Sequence, residues 1–509
     1  MKNILSLLLG ICLTASLSAQ DPGDLDLNYG IDGIATFSFT GQSTMLFSIS
    51  RQSNDRIIIG GFMEDLSTFD TYVIATRMDE TGSVDNFGNN ITYFANYYDD
   101  TESVLATYVL PNDEIIIAGY YGEGYPFVSR LDQDGSLDPF FAGTGSYINE
   151  STSFVPTCID VYNTIDGYNI VMSGYSVDYE PLMLCIDQDG TAVTSFGSDG
   201  LYEFPVSLGI MRKLTIDSDA GCIYTCGDDI AGVNAFISKH NLSDGSLITS
   251  FNGTGYVILE PFGDALSFSA RGLAYNAGSG TLAILGDYLH IDTDYDIFAV
   301  RFNTSDGSLD NSFGLNGWST LRFPTSNEAI YDAVQQSDGK YYLGGFTNIN
   351  DPNDFMIGRI NNNGILDMSF GVNGFTLTDL GEQDRVVDLV LSENQSRIFA
   401  GGDMNPFGHH EMKVACYHTG FTMGVADPET VQPEISIYPN PTTDIINIET
   451  GEDDSYQIGI YDLAGKRLLQ RDERGNKFQL DIKELPKGIY MLRLTNSNNN
   501  NSNFKLIKQ

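Results

Sequence analysis

The chain has 509 residues, 42% of them hydrophobic and 12% aromatic, which is enough to bury a large core. It carries 68 Asp and Glu against 26 Lys and Arg, a formal charge of −42 at pH 7. A field of that sign repels phosphate backbones and anionic membrane surfaces, so no nucleic-acid partner is expected. The charge is also uneven. Residues 20–432 hold 15 basic against 57 acidic residues, whereas 433–509 hold 10 against 11. This asymmetry predicts an acidic main domain and a nearly neutral tail domain.

Residues 1–19 read as a signal peptide. Lys2 and Asn3 precede the apolar run Ile4–Leu13, and small residues follow, with cleavage expected between Ala19 and Gln20. Cys12 follows the bulky Ile11, a poor match to a lipoprotein cleavage site. No later run reaches the ~18 apolar residues of a spanning helix, so no membrane span is expected. Cleavage leaves five cysteines: Cys158, Cys185, Cys222, Cys226 and Cys416. Cys222 and Cys226 fall in one predicted strand, roughly 13 Å apart and beyond disulfide reach, so they read as small buried hydrophobes.

From residue 25 onward one phrase returns. It is LDNSFGLNG at 309–317 and LDMSFGVNG at 366–374, with looser copies at 25–33, 84–90, 137–145, 192–200 and 247–255. Aligned on Tyr29, Phe87, Phe141, Phe196, Phe251, Phe313 and Phe370, the intervals are 58, 54, 55, 55, 62 and 57 residues. Near-constant spacing of this kind marks a repeat architecture.

The unit 330–380 contains four short β-type runs. They are Ile330–Gln335, KYYLGGF (340–346), DFMIGRI (354–360) and GFTLTDL (374–380), separated by turns at Asp338-Gly339 and Asn363-Gly364. The second run recurs as RIIIGGF (56–62), CIYTCGD (222–228), TLAILGD (281–287) and RIFAGGD (397–403), among others. Its Gly predicts close approach of a backbone or a ring. The repeated Phe is expected between neighbouring units. Arg77, Arg130, Lys239, Arg301 and Arg359 hold equivalent places in the third run, which predicts structural pairing with acidic neighbours. Asp132, Asp134, Asp187 and Asp189 sit beside hairpin glycines and are expected to support turns.

Four-stranded units at this period predict an all-β fold, a β-propeller spanning 20–420. The last unit supplies three strands, Val386–Leu391, Arg397–Gly402 and Met412–Tyr417, and then leaves the pattern at Thr419-Gly420. An N-terminal strand at Ile34–Phe39 would complete that blade and close a ring of seven. These residues resemble the delta-60 repeat family, whose members are thought to form β-propellers. The resemblance covers 25–420 and implies no particular activity.

Residues 421–433 read as a linker. The tail, 434–509, alternates apolar residues through ISIYPNPTTDIINIE (435–449), QIGIYDLAGKRLLQ (457–470) and FQLDIKELPKGIYMLRLTN (478–496), which predicts a small antiparallel β-sandwich. The polar run Asn496–Asn503 reads as a loop before the last strand. This segment resembles the type A sorting domain of the type IX secretion system. The matching residues are Tyr438-Pro439-Asn440-Pro441, Asp462 through Gly465-Lys466, and Gly488 with Tyr490. The resemblance implies passage across the outer membrane, with the secretion machinery as partner and a secreted or cell-surface destination.

Asp292, Asp294 and Asp296 alternate along HIDTDYD and could hold calcium from one face of an extended segment. Ile297 and Asn303 stand where an EF-hand loop needs Gly and Glu, and a plain acidic loop is the simpler reading. No other cofactor is expected. His409-His410-Glu411, with His418 nearby, point to opposite faces of an extended segment, a poor geometry for shared metal ligation. No nucleophile elbow, phosphate loop or zinc pair is present, so no catalytic residue is assigned. The function expected is an extracellular or cell-surface binding module for a polysaccharide or a surface protein. A secreted glycan-acting enzyme and a purely structural surface component are the alternatives.

Overall fold

The computed structural model describes residues 21–508 except 89–91, 95–101, 207, 262, 264, 292–293, 322–325, 350–352, 382, 405–409, 422–435, 439–441, 462–466 and 497–500. Two compact units divide at Met423 and Gly424. The signal-cleavage residues Ala19 and Gln20 lie outside the described residues, as do Pro439, Asn440, Pro441, Asp462, Gly465 and Lys466.

The first unit is a seven-bladed β-propeller of four-stranded antiparallel sheets. Blades 1 to 7 begin with the strands Gln42–Arg51, Ser103–Val109, Val155–Thr164, Ile210–Asp217, Ala265–Asn276, Glu328–Gln335 and Asp384–Leu391. Each of these strands packs against its counterparts in both neighbouring blades, in an unbroken cycle that surrounds the axis. The predicted runs fall on strands throughout. Cys222–Asp228, Ala235–Asn241 and Asp354–Ile360 coincide with them end to end. In the last blade the outermost strand is Ile34–Phe37, which pairs antiparallel with Glu411–His418 (Ala35 opposite Val414, Phe37 opposite Met412). The N-terminal segment therefore closes the ring as its sequence predicts, burying the edge that an open array would expose.

The repeated phrase is the joint between blades, and its residues have separate tasks. In Phe313-Gly314-Leu315-Asn316-Gly317 the two glycines and the Asn have φ of 54°, 91° and 55°, a left-handed path that Gly and Asn adopt at least cost. The next copy repeats it with Gly371, Asn373 and Gly374 at 50°, 57° and 91°. The aromatic is buried, and the turn glycine of the following blade lies against its ring. A Cβ on Gly135 would meet Phe87 at 2.6 Å, and one on Gly364 would meet Phe313 at 3.1 Å. The residue after the aromatic donates its N–H to a turn carbonyl of the next blade at all seven joints, from Gly30 to Thr81 (2.6 Å) round to Gly371 and Pro22 (2.8 Å). Pro22 stands where the missing hairpin of blade 7 would be.

The row of basic residues locks the same joints. Arg77, Arg130, Arg301 and Arg359 pair with Asp85, Asp138, Asp310 and Asp367 of their own phrases at 2.5–2.8 Å. Each also donates to a carbonyl of the next blade, on Gln133, Gln188, Asn362 or Thr419, at 2.5–2.7 Å. Each lies over its phrase aromatic at 4.7–5.3 Å. Lys239 departs from the expected acidic pairing. Ile248 occupies the Asp position of its phrase, and the ammonium bonds the Thr304 carbonyl at 2.8 Å instead.

The second-strand glycines answer a bulge. The innermost strand of every blade carries one extra residue opposite them, for example Tyr331 between Ile330 and Asp332. The bulge turns a carbonyl inward, so a Cβ on Gly345 would sit 1.7 Å from the Ala329 oxygen. The turn carboxylates behave as predicted. Asp132 accepts from Asp134 and Ser136 N–H, and Asp187 from Asp189 and Thr191. The five cysteines described are free thiols, and all except the half-buried Cys158 are buried.

The second unit is built on a long hairpin, Ile445–Tyr461 with Arg467–Asp481, whose register breaks between Glu449 and Asp454. Ser436–Tyr438 pairs with one half of it and Gly488–Thr495 with the other. Ile446, Ile448, Ile458, Ile460, Leu480, Leu492 and Leu506 form its core. Tyr490 is buried and its hydroxyl donates to the Pro486 carbonyl at 2.7 Å, which ties the Gly488 turn to the sheet. The last strand starts earlier than its polar sequence suggests. It runs Asn501–Lys508, with Thr495 opposite Asn501, because the main chain carries an antiparallel ladder whatever the side chains.

Candidate functional site at the axial mouth

The same bulge places a distinct set of side chains around one end of the axis. Extra residues in blades 4, 5 and 6 are Arg212, Arg271 and Tyr331. Blade 7 contributes Arg385, two residues before its own bulge and opposite Asp403. At the same level the second strands carry Phe62, Tyr120, Tyr175, Asp228, Asp287, Phe346 and Asp403, each directly after the glycine that faces the bulge. Where this position is aromatic it stays half-buried. Where it is Asp, an Arg covers it. Arg212 pairs with Asp228 at 3.0 Å and Arg385 with Asp403 at 2.8 Å, while Arg271 stands 3.9 Å from Asp287.

Exposure within these pairs is one-sided. The arginine side chains are 31%, 26% and 35% accessible, and their acids 5%, 7% and 1%. Solvent at the mouth therefore meets the arginine side chains, while the carboxylates are covered. Two guanidiniums lie near the Tyr331 ring, Arg271 at 5.7 Å and Arg385 at 5.6 Å from its centre. Burial pushes the Asp287 carboxyl up to about 7, against the opposing pull of Arg271. Burial also works against charge on Asp403, but hydrogen bonds from His410 and Arg385 prevail and hold it below the usual carboxylate range.

Deeper on the axis, Lys213 of blade 4 crosses to blades 6 and 7, reaching Asp332 at 2.7 Å and Asp388 at 3.4 Å. Two carboxylates share this one ammonium. Burial, with Asp388 as a like-charged neighbour, pushes Asp332 up, while the pair of acids raises Lys213 despite its burial. Each Asp also ties two blades together. Asp332 accepts the Leu389 N–H at 3.0 Å and Asp388 the Ile49 N–H at 2.8 Å. With one oxygen on the ammonium and the other on a backbone N–H, these acids are engaged as struts rather than poised for proton transfer.

Sequence reasoning did not single out Arg212, Lys213, Arg271, Tyr331 or Arg385. The available signal was the Asp ending CIYTCGD, TLAILGD and RIFAGGD, the three second runs whose blades supply the arginines. Of the calcium candidates, Asp292 lies outside the described residues. Asp296 is buried and Asp294 is half-buried, and both raise Glu328 of the next blade through their charge. Among the described residues no group of three or more His, Cys, Asp and Glu side chains is arranged to hold a metal ion. His410 contacts Asp403 at 3.2 Å, Glu411 pairs with Lys413 at 3.0 Å, and His418 lies 3.7 Å from Asp26, so these groups serve separate partners.

Fold and site together define a closed propeller presenting an Arg and aromatic mouth, joined to a small β-sandwich. Residues 436–509 match the secretion system C-terminal sorting domain, and residues 110–141, 278–313 and 336–370 match a β-propeller domain of unknown function (DUF5122). The chain is thus a DUF5122-type propeller with a C-terminal sorting domain, exported or displayed at the cell surface through the type IX machinery. No helix among the described residues is long and apolar enough to cross a membrane.

Among curated proteins the chain is 26% identical over 87 residues to an endo-acting ulvan lyase of Formosa agariphila, covering 17% of each chain. It is 32% identical over 80 residues to β-agarase D of Zobellia galactanivorans, covering 14% of this chain and 16% of that one. The chain thus spans under a fifth of either relative, a stretch comparable to the 436–509 match. Among solved structures, polysaccharide lyase Uly1 aligns at 10% identity over 73% of this chain and 90% of that one, with a TM-score of 0.41. Prolyl oligopeptidase B of Galerina marginata aligns at 10% identity over 80% and 55%, with a TM-score of 0.40. These likenesses bear on neither ligand nor activity.

Proposed function

We propose that the propeller is an extracellular binding module, delivered by its sorting domain, that takes a polysaccharide or a surface protein at the axial mouth. The observation that carries this reading is the mouth itself, where partly exposed arginines and aromatics from several blades converge. Polar and aromatic groups held on rigid strands form a recognition surface without further rearrangement. The engagement of Asp332 and Asp388 as struts favours binding over glycan cleavage at these two acids, because each of their oxygens already faces the Lys213 ammonium or a backbone N–H.

The test is a broad glycan array probed with the mature chain, in calcium and then in chelator, with every hit assayed for cleavage. A saturable hit without cleavage supports the module. Loss of that hit in chelator would bring Asp292, Asp294 and Asp296 back as a calcium site. Cleavage of the hit would replace the module with an enzyme, and a silent array would remove carbohydrate as the ligand.

A further inference from the structure

Residues 20–432 hold only 15 Lys and Arg, yet Arg212, Arg271 and Arg385 gather at one end of the axis, with Lys213 deeper on it. Arg77, Arg130, Arg301 and Arg359 are consumed as joints over their phrase aromatics. The mouth arginines differ in kind, since a quarter to a third of each side chain stays open while its acid is covered.

Arg212 engages Asp228 through Nε alone, which leaves the two terminal nitrogens directed elsewhere. A guanidinium fixed at one edge by a buried acid presents its other edge as a pre-oriented fork for a planar or tetrahedral anion. Arg271 and Arg385 both lie near the Tyr331 ring, so their guanidinium carbons are separated by no more than the sum of their distances to that ring.

We propose that the mouth recognises an acidic carbohydrate, with a carboxylate or sulfate group held by Arg271 and Arg385 beside Tyr331 and a neighbouring residue of the chain reaching Arg212. This rests on the binding-module reading and adds the ligand's charge and its contact residues. The half-buried aromatics Phe47, Phe62, Tyr175 and Phe346 on the surrounding strands favour a saccharide over an acidic peptide, since sugar C–H faces pack on ring faces between charged contacts. Elsewhere the acidic domain repels such a polymer, so the arrangement would confine it to this one place.

The experiment measures binding of the mature chain to immobilised dextran sulfate, alginate, unsulfated dextran and polyglutamate at two salt concentrations. Dextran sulfate or alginate should bind saturably, more weakly at high salt, while dextran does not. Arg271→Gln, and Arg385→Gln combined with Asp403→Asn so that no buried acid is orphaned, should each weaken binding about tenfold or more. The comparison of sulfated with unsulfated dextran needs no variant, so it stands even where a variant fails to fold. Equal binding of both dextrans would overturn the acidic-ligand inference while leaving the module intact. Binding of polyglutamate alone would replace the carbohydrate with an acidic peptide. No binding to any anion, or undiminished binding by folded variants, would overturn the site.

Discussion

Arg359 tests the reading of the repeated phrase as a joint. It is 2% exposed, pairs with Asp367 at 2.8 Å, donates to the Thr419 carbonyl at 2.5 Å and lies 4.7 Å above Phe370. Arg359→Met keeps the apolar stem and removes every one of the charged contacts. Asp367 is then left 7% exposed with only Lys340, 3.6 Å away, as a counterion. Breaking a buried pair from one side costs about 3–5 kcal/mol, and the remaining Lys340 places the expectation near the lower end. Unfolding entropy near ~2 cal/mol/K per residue over roughly 390 residues makes about 3 kcal/mol a fall in Tm of about 4 °C. The assay is thermal unfolding followed by near-UV circular dichroism. Adding Asp367→Asn should recover part of the loss, because the orphaned charge is removed. A loss below about 1 kcal/mol, or no recovery in the double variant, would refute the joint.

Three further outcomes follow from the same structure. Gly345→Ala should destabilise by about 1–3 kcal/mol in urea unfolding, because its Cβ would meet the bulge carbonyl, whereas Gly41→Ala, with nothing within 4 Å, loses only what its φ of 81° costs. Burial, with Asp296 and Asp294 as neighbours, pushes Glu328 up to about 7. The folded state then holds a proton that the unfolded chain releases near pH 4, so this group's contribution is complete below pH 4 and disappears as pH rises through 7. Glu328→Gln should accordingly lessen the fall in stability between pH 5 and pH 8, and an unchanged slope would remove Glu328 as its source. Cysteines at Thr36 and Lys413, directly opposite in the closing pair, should cross-link on oxidation and raise Tm, and an open ring would leave both thiols free.

The propeller was legible because its repeat is written in residues with strict backbone demands. Gly314, Asn316 and Gly317 can be read as a left-handed turn from their residue types and spacing alone, and Phe313 as the group it wraps. Ring closure was legible for a similar reason, since Ile34–Phe37 is a strand with no blade of its own and blade 7 is one strand short. The mouth was hidden because its members share no sequence position until the bulges are aligned. Arg212, Arg271 and Tyr331 are the extra residues that break strand alternation, while Arg385 reaches the same place from two residues upstream. Lys213 was further concealed because Asp332 and Asp388 are more than a hundred residues away along the chain. In the tail, the Tyr490 hydroxyl holds the Pro486 carbonyl of the turn that precedes the Gly488–Thr495 strand.

If ligand is taken at the axial mouth and not on the opposite, turn-bearing face, substitutions on the two faces should have separate effects on binding. The most direct measurement compares binding of the mature chain to its best array ligand for Tyr331→Ala with Arg271→Gln, and for Phe140→Ala, which alters a side chain 85% exposed on the turn face. The mouth variant, still folded, should bind at least about tenfold more weakly, while Phe140→Ala should bind as the parent does. Full binding by the mouth variant together with loss in Phe140→Ala would contradict binding at the mouth and move the site to the other face.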